Sequence, residues 1–335
     1  MAADPAGTAP PVPLDTAIAG FLTMLRAGKP SPHTITAYAA DVNLVRERLD
    51  ARPEQLVVAD LTAARLRAGF AGYADGHAKA SVRRAWATWN RLCDHLVVEG
   101  LLAGNPMAAV PKPKAARSAP QAFTDADMTA LLEVLVDGRV PARYPWPIRD
   151  YALIATLAAT GLRRSEVLAL TVDDVEGGPG ARQVAVRHGK GDKYRAVPVD
   201  PRLEDLLAAY LAERWARWPV AGRARPVDPW SAPARAALWL GDKGQPLTSA
   251  QLAHLVERAY RAAGINSHRP TGALVHALRH TFATSLLENG ATAIEVMGLL
   301  GHASLATTQR YLTTRPDHLR GAVAANPVLA HVHTR

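Results

Sequence analysis

The chain has 335 residues, 48% of them apolar, enough for about two domains with sizeable cores. Its 39 Lys and Arg against 30 Asp and Glu leave a formal net charge of +9, and its one cysteine, Cys93, excludes an internal disulfide. No apolar run reaches membrane-spanning length and no secretory signal opens the sequence. These features lead us to expect a cytoplasmic protein, associated with the nucleoid because an excess of positive charge suits a polyanion. Plain solubility, or codon usage that favours arginine, produces the same charge balance.

Residues 1–13, rich in Ala and Pro, read as a disordered lead. From Leu14 a helical period sets in with Leu14, Ile18, Phe21, Leu22 and Leu25 on one face, stopped by Gly28-Lys29-Pro30. A second helix opens at Ser31 or His33-Thr34 and carries Ile35, Tyr38, Val42, Val45 and Leu49. A short third lies near Leu61–Phe70. A long fourth, about Ala78–Val98, sets Val82, Trp86, Trp89, Cys93 and Leu96 on one side and Lys79, Arg83, Arg84 and Arg91 on the other. Residues 14–110 are thus a helical bundle with a basic face, which is either a solvated face or a DNA contact. Cys93, on the apolar face, reads as a small buried hydrophobe.

Residues 111–120, Pro-rich and bearing Lys112 and Lys114, read as an extended linker able to track a phosphate backbone. A second domain follows over 121–325. Thr124 is its first N-cap, with Asp127 at the third helical position. Helices are expected at about 125–136 and 148–160. Strands at Gln183–His188 and Tyr194–Val199 show alternating valines and are joined by Gly189-Lys190-Gly191-Asp192-Lys193, a hairpin. Helices resume near 201–217, residues 219–236 read as irregular, and further helices fit 248–263, 276–289, 293–300 and 304–311. Pro316 to Ala325 reads as a short helix and 326–335 as a tail. The fold class is mainly α with a small β-sheet, an N-terminal helical bundle followed by an α+β catalytic domain.

Six polar residues carry the chemistry in one order: Arg163, Lys190, His276, Arg279, His302 and Tyr311. His276 and Arg279 stand three apart on a helix and so share a face. Arginine's planar fork matches two phosphate oxygens at once. Two guanidinium groups, an ammonium, two imidazoles and a phenol suit holding one phosphodiester and attacking it without a metal. Alone, a His-x-x-Arg pair is an ordinary surface pattern; its context is not. His276-Ala277-Leu278-Arg279-His280, then Leu300-Gly301-His302, then Tyr311 nine residues on, resemble the tyrosine recombinase (phage integrase) family and its Xer-like branch. Thr160-Gly161-Leu162-Arg163-Arg164-Ser165-Glu166 is similar to the segment of that family's first catalytic arginine, and Gly189–Lys193 to its lysine hairpin. The resemblance spans about residues 14–325, sharply in the second domain and by layout in the first, which looks like a core-binding, SAM-like DNA-binding domain.

The resemblance implies a site-specific DNA recombinase that cuts and rejoins strands through a 3′-phosphotyrosine bond, with no cofactor, metal or ATP. It implies that Arg163 and Arg279 clamp the scissile phosphate, Lys190 protonates the leaving 5′ oxygen, and His276 and His302 bond the phosphate. Tyr311 is then the nucleophile. Lys193 and Arg195 compete with Lys190 as the acid. Glu166 supports Arg163 from the same helix, Asp174 does likewise, and His280 supports the helix; each is equally a structural residue. Tyr210 and Tyr260 read as packing residues. The remaining histidines have no metal-site spacing. Partners implied are double-stranded DNA and a homo-tetramer, or a hetero-tetramer with a paralogue, on two sites, with the tail docked on a neighbour or on its own domain and the two domains closed as a clamp. Lys79, Arg83, Arg84, Arg91, Lys112 and Lys114 are the expected DNA contacts. Two rivals remain: a type IB topoisomerase-like enzyme and a catalytically silent DNA-binding accessory protein. The task of the reaction, integration and excision of a mobile element or resolution of chromosome or plasmid dimers, stays open, although the lack of a large domain before Leu14 disfavours arm-site integrases.

Overall fold

A computed structural model describes residues 10–28, 32–50, 52–114, 122–187, 194–219, 226–231, 236–265 and 271–301, with the backbone alone at 32–33 and 271–273. The chain divides into two compact units, residues 1–118 and 119–335.

In the first unit four helices surround one apolar core: α1 (Leu14–Ala27), α2 (Pro32–Arg46), α3 (Ala63–Ala74) and α4 (Lys79–Val98). Phe21, Leu66, Trp89, Leu92 and Leu96 fill its centre. The apolar stripe expected on the fourth helix faces inward, and Cys93 lies within it, where burial pushes its thiol up to about 12. That thiol is inert at neutral pH. α3 begins at Ala63 because the Thr62 side chain caps it, accepting from Arg65 N. The lead expected over 1–13 ends early: Val12 O accepts from Val58 N at 2.9 Å and Pro13 bridges Val57, so strand-like pairing ties its last residues to the bundle. The start of the expected linker is likewise held, because Trp86 Nε1 donates to Val110 O at 3.0 Å and Arg83 Nη1 to Pro113 O at 2.7 Å.

The second unit is built on α6 (Pro147–Thr160), which packs against α5 (Asp125–Val136), α8 (Pro201–Arg217) and α10 (Thr271–Glu288). With neighbours on several sides, α6 buries Ala152, Leu153, Ile154 and Leu157, and its buried Thr156 hydroxyl returns to Ala152 O. The Thr124–Asp127 capping box that opens α5 is present in both directions. α7 (Arg164–Ala169) and α9 (Ser249–Ala262) complete this layer, and α11 (Ala293–Leu300) packs on α10. The sheet is antiparallel in the order β1 (Val175–Glu176), β2 (Gln183–Val186), β3 (Arg195–Pro198), with Val175 opposite Val184 and Val186 opposite Arg195.

Three expectations shift. β1 is added because a two-residue strand shows no alternation to read. α10 begins five residues before the expected 276, since Pro270 and Gly272 obscure a start whose apolar period is carried by the buried Leu274 and Leu278. The segment expected to be irregular up to 236 gives way to pairing at its end: Val172 N donates to Ala236 O and Leu238 N to Leu170 O. Among the described residues no helix is long and apolar enough to cross a membrane.

Candidate active site

The site starts where α6 stops. Gly161 takes a left-handed φ of 59° as the helix cap, and a Cβ there would come within 2.3 Å of the Phe282 ring. Only glycine meets both conditions. Leu162, fully buried, anchors the turn, and Arg163 follows in extended conformation as the N-cap residue of α7. Arg163 and Glu166 therefore do not share one helix, as the sequence led us to expect. Instead Glu166, in the first turn of α7, reaches back to accept from Arg163 N at 2.7 Å and from Arg163 Nη1 at 2.7 Å.

Glu166 is also the point where two distant elements meet. Arg195, the first residue of β3, donates Nη1 to its Oε1 at 3.0 Å and Nη2 to its Oε2 at 2.6 Å. Arg279, from α10, places Nη1 3.9 Å from Oε2. Burial by itself raises a carboxyl pKa, but here the hydrogen bonds from Arg195 and from the main chain and side chain of Arg163 outweigh it. They hold Glu166 down at about 2, against an ordinary 4.5.

The same three guanidinium groups take three successive carbonyls at the end of α11. Arg195 Nε donates to Leu299 O at 2.7 Å, Arg279 Nη2 to Leu300 O at 2.6 Å and Arg163 Nη2 to Gly301 O at 3.4 Å. A helix C-terminus presents unpaired carbonyls and a partial negative charge, which cations satisfy. Gly301, with φ 64°, turns the chain out of α11 here. Arg279 is 2% exposed and also donates to Gly161 O at 2.6 Å, so it ties the end of α6 to the end of α11.

His276 is exposed on α10, one turn before Arg279. His280 is buried and its Nδ1 lies 3.2 Å from the Thr284 hydroxyl, a contact one turn along the helix. Lys190, His302 and Tyr311 lie outside the described residues, as does Lys193. The structure thus brings Arg163, Glu166 and Arg279 together, and His302 follows Gly301 directly in sequence.

Two alternatives are corrected. Arg195 is a poor rival for the acid role, because its guanidinium is buried and donates to both oxygens of Glu166 and to Leu299 O. Asp174 does not orient Arg163; it caps Thr171 and pairs with Arg187 at 2.7 Å. Arg195 itself is the residue that sequence reasoning undervalued. A signal was present: it stands in phase with Val197 and Val199, the inward side of β3. Tyr210 and Tyr260 are buried packing residues, the former donating its hydroxyl to Leu238 O. No group of His, Cys, Asp and Glu among the described residues has the arrangement of a metal site.

The phage integrase family matches residues 122–318, the stretch that holds this cluster of arginines. The chain belongs to that family, the tyrosine recombinases. A tyrosine recombinase XerC from Chromobacterium violaceum is 32% identical over 307 residues, covering 91% of this chain and 92% of that protein. Another from Methylobacterium sp. is 34% identical over 319 residues, 93% of each. Among solved structures, XerH site-specific recombinase bound to palindromic difH substrate in a post-cleavage complex superposes with a TM-score of 0.68 at 25% identity, over 87% of this chain and 79% of that one. The chain is a Xer-like tyrosine recombinase, an enzyme of site-specific DNA recombination that cleaves and rejoins strands; the topoisomerase-like and catalytically silent readings are not favoured.

The cations expected to contact DNA in the first unit are unevenly free. Lys79 and Lys114 are exposed, and Arg91 lies over the Tyr38 ring and donates to its hydroxyl. Lys112 Nζ sits 5.0 Å above the Trp86 ring. Arg84 departs from expectation: it forks onto Asp41, itself 1% exposed, with contacts of 2.6 and 2.8 Å. That pair is neutral, so Arg84 adds no excess charge to the basic face.

Proposed function

We propose that this recombinase cleaves double-stranded DNA with Tyr311 as nucleophile, and that Arg163 and Arg279 hold the non-bridging oxygens of the scissile phosphate. What supports this reading best is the meeting of these two arginines, distant in sequence, at one carboxylate and one helix end. Fixed cations aimed at a phosphorus stabilise the charge that builds in the pentacoordinate transition state without reorganising during reaction. The phenolic oxygen attacks phosphorus and forms the 3′-phosphotyrosine bond, while the 5′ oxygen leaves with a proton from Lys190. An unperturbed phenol has a pKa near 10, so attack at neutral pH calls for cations or a base beside it. His276 helps remove that proton and His302 donates to the phosphate. The bond energy of the diester is kept, so the 5′ hydroxyl of a second strand reverses the step.

Exchanging both strands of two duplexes takes four such bonds. With one nucleophile per protomer, this implies a tetramer of this chain, or of this chain and a paralogue, on two DNA sites. Attachment-site repeats beside the gene point to integration and excision of a mobile element, and a lone chromosomal locus to dimer resolution. The chemistry is tested with a nicked suicide duplex carrying the target site. The wild-type chain accumulates a covalent adduct and Tyr311→Phe binds the duplex without forming one; an adduct in that variant refutes the nucleophile.

A further inference from the structure

The β3 side of the site carries a guanidinium that this chemistry does not use. Arg195 is 8% exposed, spends two donors on both oxygens of Glu166 and a third on Leu299 O. A Cβ on Gly301 would lie 3.1 Å from Arg195 Cδ and Nη1, so the turn after α11 rests directly on the arginine's stem. Glu166 meanwhile holds Arg163 through the same two oxygens, and Arg279 stands 3.9 Å from one of them. Among the described residues, three guanidinium groups thus converge on this one carboxylate. Without Arg195 both oxygens of Glu166 lose a donor and pull harder on Arg163 and Arg279, and Leu299 O gives up its donor.

We propose that Arg195 is a positioning residue for strand cleavage. It occupies both oxygens of Glu166 and holds the 299–301 turn, so that Arg163 and Arg279 meet the phosphodiester in register. This rests on the reading of those two arginines as the phosphate clamp. Arg195 acts through them and touches no reacting atom.

The test uses the full chain, wild type and Arg195→Lys, with Arg195→Gln beside it. Two nicked duplexes are compared under single-turnover conditions, one with an ordinary scissile phosphate and one with a methylphosphonate there. The methyl group replaces a non-bridging oxygen and removes the charge that the arginines stabilise. Arg195→Lys keeps the charge but loses the two-point hold on Glu166. It should bind both duplexes within about threefold of wild type, form the adduct about 30- to 100-fold more slowly on the phosphate, and lose no more than about threefold on the methylphosphonate. The fraction of folded enzyme cancels in the ratio of the two rates, so a variant that merely folds poorly loses equally on both. Equal losses, or unimpaired cleavage of the phosphate, overturn the proposal. Arg163→Gln run in parallel shows which layer has failed: if it too shows no preference for the uncharged substrate, the clamp reading falls and the role of Arg195 with it.

Discussion

At the scale of single residues the site turns on Glu166, a carboxylate 6% exposed yet bound to two guanidinium groups and a main-chain N–H. A buried charge is tolerable only with such partners. Its pKa is depressed from 4.5 to about 2, so its contribution to stability is fully present above about pH 4.5 and is lost as pH falls towards 2. Between pH 6 and 8 Glu166 does not titrate and shapes no part of the activity profile there. Glu166→Gln should unfold at lower denaturant at pH 7 and should show a shallower loss of stability from pH 5 to 2.5 than wild type, as read by urea titration; parallel curves count against the ion cluster. The clustering of Arg163 and Arg279 was legible in sequence as motifs. That Glu166 collects them was legible only as a carboxylate at a suggestive spacing, because its partners lie on other elements.

At the scale of elements, the site is a set of helix ends. α6 ends at Gly161, α7 begins at Arg163, α11 ends at Gly301, and the arginines bridge these ends. Helix ends carry the unpaired backbone groups, so they are where long cations find carbonyl acceptors. Gly161 makes the junction possible. An alanine there meets left-handed strain and the Phe282 ring together, so Gly161→Ala should cost about 2–4 kcal/mol by chemical unfolding and slow adduct formation. A neutral result shows that α6 and α10 have room to part. Most element borders followed from caps and apolar periods, such as the Thr124–Asp127 box and the stripe of α4. β1 did not, since two residues offer no repeat, and the start of α10 did not, since Pro270 and Gly272 interrupt the approach to its apolar period.

For the whole molecule, each unit has its own apolar core, and the chain carries a net charge of +9. Affinity for duplex DNA should therefore fall steeply with salt. Replacing the exposed Lys79, Lys112 and Lys114 by Gln should reduce the slope of log K against log salt by about 2–3, near 0.9 for each phosphate that is no longer neutralised. An unchanged slope means that these lysines face away from the duplex. Arg84 does not join that set because Asp41 already neutralises it.

The amino-acid sequence by itself determined the class of this protein and the order of most of its described elements, and it named the six side chains proposed for its chemistry. Those are written locally, in apolar periods, caps and short motifs. Only the tertiary structure decided that Arg195 belongs to the site, that Glu166 gathers arginines from three elements, and that successive carbonyls of one helix end receive them. All of these contacts but the one between Arg163 and Glu166 join residues 21 or more positions apart, and their geometry comes from how α6, α10, α11 and β3 pack, which no local pattern encodes.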